Sequence, residues 1–185
     1  EQLLTTLREP MARLVSEYVY FCQYCHESAR FCGKYRISNT DCSNGAVNFS
    51  TWIERAPNLY TRQFSAYWPG MSYADAWMGG FSNAEPLTVN HVSRAERTLT
   101  RPSSFVVWTD EMTDAPNDTL ERMRAWLGRR AGMALMNENQ FPHYNQRPSY
   151  VTAYVPTATE RERACLVNWA DCALYQRLRN RSCDC

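Results

Sequence analysis

Lysine is nearly missing from this chain. Lys34 is the single lysine among 20 basic residues, the rest being arginine, so chemistry that requires a lysine has one candidate. The cation on offer is instead arginine, whose planar fork suits bidentate binding of phosphate or sulfate. An excess of charge is missing too: the formal net charge is +1, which gives no electrostatic reason to expect a nucleic-acid or membrane-surface partner. No run approaches the ~20 apolar residues of a membrane span, no signal-peptide pattern opens the sequence, and there is no internal repeat or low-complexity tract.

What is present is a globular mixture. Apolar residues make up 44%, aromatics 13% and charged residues 21%, which excludes a chain disordered throughout. A length of 185 residues predicts one domain over 1–185 with a single core. Leu3-Leu4-Thr5-Thr6-Leu7 reads as a strand already under way, the expectation for a fragment or a processed ectodomain.

The eight cysteines fall in two groups: Cys22, Cys25, Cys32 and Cys42, then Cys165, Cys172, Cys183 and Cys185. An even count in two groups of four points to disulfides in an oxidising compartment. The sequons at Asn48, Asn117 and Asn180 agree with that. Cys22-x-x-Cys25-His26 with Cys32 and Cys42 also has metal-ligand spacing. It has no second Cys-x-x-Cys, however, and a metal would leave the other four cysteines without a purpose, so disulfides are preferred and no metal is expected. On one helix Cys165 and Cys172 would lie ~10 Å apart along the axis, beyond disulfide reach. Each must pair elsewhere, with Cys183, Cys185 or the first group, or one stays free.

Along the chain, Arg8-Glu9-Pro10 turns the first strand into a helix with Pro10 as its first residue. Leu14, Val15, Tyr18, Phe21, Cys22 and Cys25 recur at helical spacing. A cysteine-rich loop is expected over about 22–50, a short helix from Ser50 to Ala56 capped by Ser50 or Thr51, and an irregular stretch over 67–86. Phe105-Val106-Val107-Trp108-Thr109 reads as a buried parallel strand. Asp118 and Glu121 form a capping-box pattern before Leu120, Met123 and Leu127, with a stop at Gly128. A last helix is expected from Thr159 to about Asn180, with Leu166, Trp169, Ala173 and Gln176 along one stripe. Strand followed closely by helix, twice, predicts an α/β core with a parallel sheet.

The segment from Leu7 to Tyr18 carries the most chemistry. It sets Arg8 at the carboxyl end of a strand and Ser16 in the second turn of the next helix, where open α/β sheets bind ligands. A phosphate there would meet a guanidinium fork, a hydroxyl and helix-terminal N–H groups. The plainer reading is a helix start with a Glu9–Arg13 surface pair. His26, His91 and His143 read as structural or surface residues, since spacing places no carboxylate beside any of them. His143 is the first to test as a base.

At this point the sequence resembles the Golgi-type, PAPS-dependent carbohydrate sulfotransferases, most closely the heparan-sulfate 6-O-sulfotransferase type. Leu7-Arg8-Glu9-Pro10-Met11-Ala12-Arg13-Leu14-Val15-Ser16-Glu17 matches the family's L-R-D/E-P-x-x-R-x-x-S-E. Pro57 to Gln63 resembles its Asn-x-x-x-Arg segment, and Ala95 to Leu99, the Phe105 strand, Glu111 and the helix to Gly128 follow in the family's order. Tyr144-Asn145-Gln146-Arg147-Pro148-Ser149 is similar to its Tyr-Asn-x-x-Arg-x-Ser loop, and Leu166 to Tyr175 to its closing helix.

The resemblance implies a P-loop-NTPase-like sulfotransferase fold, a central parallel sheet flanked by helices with its N-terminal part missing. It also implies transfer of a sulfuryl group from PAPS to a hydroxyl of a heparan-sulfate-like glycan, with no metal. By the same resemblance Arg8 and Ser16 hold the 3′-phosphate of the donor, Arg147 and Ser149 are closing-loop contacts, and Arg62 is a further donor contact. The cysteine loop and the Trp68–Phe81 segment flank the acceptor. The implied location is the Golgi lumen, as part of a type II membrane protein whose anchor lies outside this chain, or secretion.

Two departures stand out. The family's 5′-phosphosulfate loop with its lysine and its general base are expected upstream of Glu1, and Lys34, in a cysteine loop without a glycine-rich cradle, does not replace the former. The rival reading is a secreted, disulfide-stapled interaction module without catalytic activity. Sequencing the encoding transcript separates them: an in-frame Lys/Thr phosphate loop and a membrane anchor upstream are expected for the enzyme, and a signal peptide directly before Glu1 for the module.

Overall fold

The computed structural model describes residues 3–19, 48–54, 57–65, 86–127 and 154–183. In chain order the elements are β1 (Leu3–Leu7), α1 (Pro10–Val19), α2 (Phe49–Ile53), α3 (Leu59–Phe64), α4 (Val89–Leu99), β2 (Ser104–Trp108), α5 (Thr109–Asp114), α6 (Pro116–Leu127), α7 (Ala158–Val167) and α8 (Trp169–Arg179). The described residues are thus mainly helical with a two-stranded parallel sheet, an α/β composition. The chain divides into two compact units, residues 1–8 with 99–151 and residues 9–98 with 152–185.

In the first unit, β1 and β2 run parallel in a register that sets Leu3 opposite Ser104 and Leu7 opposite Trp108. Both strands match the apolar runs that predict them, but Thr109 already starts α5, so β2 stops one residue earlier than expected. Burial is also narrower than expected: Val107 and Trp108 are buried, whereas Phe105 and Val106 are half-buried. Trp126 of α6 lies 5.5 Å from the Phe105 ring and its indole N–H donates to the Pro102 carbonyl at 3.1 Å, which fastens α6 to the start of β2. α6 begins at Pro116 and not at an Asp118 cap. Proline suits that first position because its missing N–H would be unsatisfied there anyway, and Asp118 sits inside the first turn, where a negative charge complements the helix dipole.

In the second unit, Met11 and Leu14 of α1, Phe49, Trp52 and Ile53 of α2 and Ala164 of α7 form a buried cluster. Tyr18 packs edge-on against Phe49 and Tyr154 at 5.4 and 5.0 Å. Pro10 opens α1 as its sequence position predicts.

Two expectations are corrected here. The helix assigned to Ser50–Ala56 is Phe49–Ile53, and its cap is Asn48. The Asn48 side chain accepts from the Thr51 amide at 2.9 Å while the Thr51 hydroxyl accepts from the Asn48 amide at 3.1 Å, a reciprocal box that outcompetes a cap at Ser50. The single helix expected from Thr159 to Asn180 breaks at Asn168. Its expected inner stripe is largely outside: Leu166 is 70% and Trp169 38% exposed, and the buried line is Ala164, Asn168, Asp171 and Leu174. Polar groups won those inner positions, for the reason given in the next subsection.

Cys172 pairs with Cys183, one of the pairings the spacing allowed, with Cα atoms 5.5 Å apart. Cys165 is also disulfide-bonded. Cys22, Cys25, Cys32, Cys42 and Cys185, the cysteine loop before Asn48, the irregular stretch 67–85, His26, Lys34 and His143 lie outside the described residues. Among the described residues no helix is long and apolar enough to cross a membrane.

Glu160, at the third position of α7, accepts from the Thr157 amide at 2.8 Å and from the hydroxyls of Tyr154 and Thr157 at 2.7 and 2.9 Å. Partial burial alone would raise its pKa, but these donors, with Ser50, hold it below the ordinary glutamate value. A carboxylate lowered on folding stabilises above its unfolded pKa of about 4.3 and loses that contribution as pH falls through the folded value. Urea unfolding should therefore show stability declining from about pH 5 downwards, with a shallower decline for Glu160→Gln. Equal slopes for the two proteins would exclude this cap as a contributor.

Candidate functional site

Arg8 follows β1 immediately and Thr109 follows β2 immediately, so the parallel register brings these two residues side by side at the carboxyl end of the pair. The Arg8 Nε donates to the Thr109 hydroxyl at 3.2 Å. Parallel strands stand about 4.8 Å apart, which puts an arginine and a hydroxyl at their ends within reach of each other. This is the edge at which open α/β sheets receive ligands.

The amino end of α1 is less open to an anion than the sequence suggests. The Glu9 carboxylate accepts from the Ala12 amide at 2.6 Å and the Glu9 carbonyl from the Arg13 amide at 2.8 Å. Pro10 has no N–H to give. A negative side chain thus already occupies the helix terminus that was expected to receive phosphate, and the expected Glu9–Arg13 pair is replaced by this cap. Ser16 lies in the second turn of α1 and is half-buried.

Arg13, 4% exposed, is the centre of the polar interior of the second unit. Its Nη1 donates to both carboxylate oxygens of Glu17, at 2.9 and 3.1 Å, and its Nη2 to the Asn168 Oδ1 at 3.3 Å. Asp171, 1% exposed, sits 3.6 Å from the same Nη2, and the Tyr60 ring lies under the guanidinium at 5.3 Å. Burial would lower the pKa of Arg13, but Glu17 and Asp171 outweigh it and raise it above the ordinary arginine value. Burial pushes the Asp171 carboxyl up, against the pull of Arg13 and the amides of Thr61 and Tyr60.

Around this ion cluster two helices cap each other. Asp171 belongs to the first turn of α8, yet its carboxylate accepts from the Thr61 and Tyr60 amides of α3 at 2.7 and 3.1 Å. Asn58 precedes α3, yet its Oδ1 accepts from the Ala170 and Asp171 amides of α8 at 2.8 and 3.2 Å. Neither helix is capped by the side chain that precedes it. Asn58 also donates from Nδ2 to the Val167 carbonyl at 2.8 Å, and its own amide donates to Asn168 Oδ1 at 2.9 Å. Its φ of 56° places it in the left-handed region that asparagine tolerates. The break at Asn168 follows: its side chain serves Arg13, Asn58 and the Ala164 carbonyl.

Of the residues singled out from sequence, Arg8 lies in the first unit, and Ser16 and Arg62 in the second. Arg62 is 5% exposed, and its Nε donates to the Pro57 carbonyl at 3.3 Å, which ties it to its own turn. Arg147 and Ser149 lie outside the described residues. Sequence reasoning missed Thr109, Arg13, Asn58 and Asp171 as working residues. The signal for Arg13 was its spacing: Pro10 and Glu17 stand three and four positions away, on the same helix face. No protein family, curated protein or solved structure matches the chain.

Removing one partner of a buried charge pair strands the other and costs about 3–5 kcal/mol, whereas exposed pairs are worth ~0–1 kcal/mol. Arg13→Met should accordingly lower the unfolding free energy several-fold more than Arg177→Ala, which breaks the solvent-facing pair with Glu96 on α4. Chemical denaturation of the two variants measures this, and similar losses would mean that the buried cluster is not a stabilising centre.

Proposed function

We propose that the chain is the 3′-phosphate-binding part of a carbohydrate sulfotransferase of P-loop-like fold, transferring a sulfuryl group from PAPS to a hydroxyl of a heparan-sulfate-like glycan. The observation that carries the reading is Arg8 at the carboxyl end of one of two parallel strands, beside a hydroxyl at the end of the other. Its support from sequence is the Leu7-to-Glu17 motif that holds Arg8 and Ser16.

In this reading the acceptor hydroxyl oxygen attacks sulfur, a sulfate-ester S–O bond forms as the S–O bond to the 5′-phosphate breaks, and 3′-phosphoadenosine 5′-phosphate leaves. The hydroxyl proton passes to a general base. No residue of this chain is assigned as that base or as a donor-loop lysine. Such a transfer depends on in-line positioning and on cationic stabilisation of oxygens; the reading assigns Arg8 to the donor at the strand end, and Ser16 by the sequence motif alone. Glu9 fills the α1 terminus, so the reading assigns no anion to the helix amides. The sequence resemblance assigns Arg147 and Ser149 as further donor contacts. Arg62, engaged in the interior, supports the Pro57 turn.

The Golgi lumen or a secreted setting accompanies this activity, since the Cys172–Cys183 disulfide suits an oxidising compartment. Asn48, Asn117 and Asn180 are all exposed, as glycan attachment requires. A second reading, a disulfide-stapled interaction module, draws on the anion-repelling Glu9 cap.

Calorimetric titration of 3′-phosphoadenosine 5′-phosphate into the full-length protein and into Arg8→Ala separates the two. Binding that falls at least tenfold in the variant, the scale of a lost charge-assisted contact, is the expected result. Equal affinity in both, or no binding to either, would retire the donor assignment in favour of the module.

A further inference from the structure

We infer that Asn180 is the principal site at which this chain carries an N-linked glycan, because the fold presents that sequon and withdraws the other two. The inference rests on the lumenal setting proposed above and not on sulfuryl transfer. N-linked attachment needs the asparagine amide and the hydroxyl residue two positions on, offered together at the surface. Asn48, Asn117 and Asn180 are all exposed, so the hydroxyl residues and the local backbone decide between them.

At Asn48 the side chain is bound into the start of α2, where its Oδ1 accepts from the Thr51 amide at 2.9 Å. Phe49, the middle residue of that sequon, is 1% exposed, and the Ser50 hydroxyl donates to Glu160 at 3.5 Å. Asn117 is the second residue of α6. Its hydroxyl partner Thr119 is 1% exposed and donates to the Ala115 carbonyl at 3.0 Å. Helix formation therefore competes with attachment at both places.

Asn180 ends a helix instead of starting one. Its amide donates to the Gln176 carbonyl at 2.8 Å, and its φ of 50° puts it in the left-handed region that stops α8. Asparagine is one of the few residues besides glycine that visits this region readily, so the residue that terminates the helix is also the acceptor. Asn180, Arg181 and Ser182 are exposed in succession, and burial resumes at Cys183, which is bonded to Cys172. The cap uses backbone atoms alone, so a bulky, hydrophilic substituent on the side chain leaves it intact. In the attachment step the Asn180 Nδ2 forms a bond to the anomeric carbon of a sugar carried on a lipid diphosphate. The bond from that carbon to the diphosphate oxygen breaks, the lipid diphosphate leaves, and an amide proton passes to the transferase.

The test is made on the full-length protein produced in secretory cells. Protease protection in sealed microsomes reports whether the chain is lumenal. Peptide N-glycosidase converts each linked asparagine to aspartate, and peptide mass spectrometry then reads the occupancy of every sequon. Asn180 should be converted in most molecules, and more fully than Asn48 or Asn117. Ser182→Ala, which keeps the capping residue, and Asn180→Gly, which keeps the left-handed turn, should each abolish that glycan. A lumenal protein with Asn180 unmodified, or occupied no more than the other two, would overturn the inference. A chain outside the lumen with no sequon modified would overturn the lumenal setting as well.

Discussion

The second unit depends on an exchange of caps. α3 has six residues, too few to be stable as an isolated helix, and its free amides are satisfied by a carboxylate that belongs to α8. α8 in turn has its first amides satisfied by the asparagine that opens α3. A single side-chain cap is worth roughly 1 kcal/mol, but here each cap exists only if the other helix is in place, so the two form or fail together. Arg13 makes the exchange tolerable by placing a cation beside the buried carboxylate, since an unpaired charge in that position would cost several kcal/mol.

This constraint sorts the polar residues by use. Asn58, Asn168 and Asp171 are consumed in the interior, and Arg62 is tied to its turn. Residues of these types in a ligand-binding pattern would be ready candidates for a site, yet their hydrogen-bonding capacity is spent on helix ends. Arg8 stands at the end of β1, where its Nε donates to the Thr109 hydroxyl, and Glu9 caps the amino end of α1.

Local patterns were legible in the sequence where one interaction decided the outcome. β1, β2 and the Pro10 start of α1 came from apolar runs and from proline's missing N–H, and neither depends on distant residues. The Cys172–Cys183 link was among the pairings left open by the helix rise. Failures came where a long-range partner decided. Thr159 to Asn180 reads as one helix because nothing local breaks it; Asn168 breaks it because Arg13 and Asn58, more than a hundred residues away, take its side chain. Leu166 and Trp169 were placed inside by their apolar character, but inner positions there went to Asn168 and Asp171. Asn48 reads as a sequon, yet it also caps α2, with its reciprocal partner Thr51 three residues on. Thr109 was unreadable in advance, because only the register of β1 with β2 brings it to Arg8.

Amide hydrogen exchange on the full-length protein with and without 3′-phosphoadenosine 5′-phosphate tests the division between a structural polar interior and a strand end proposed to bind the donor. The account predicts slower exchange in the segments that hold Leu7–Arg8 and Thr109–Thr113 when ligand is present, with no change at Tyr60–Thr61 and Ala170–Asp171, whose amides are already capped. Protection centred on the capped amides, with the strand ends unaffected, would contradict it.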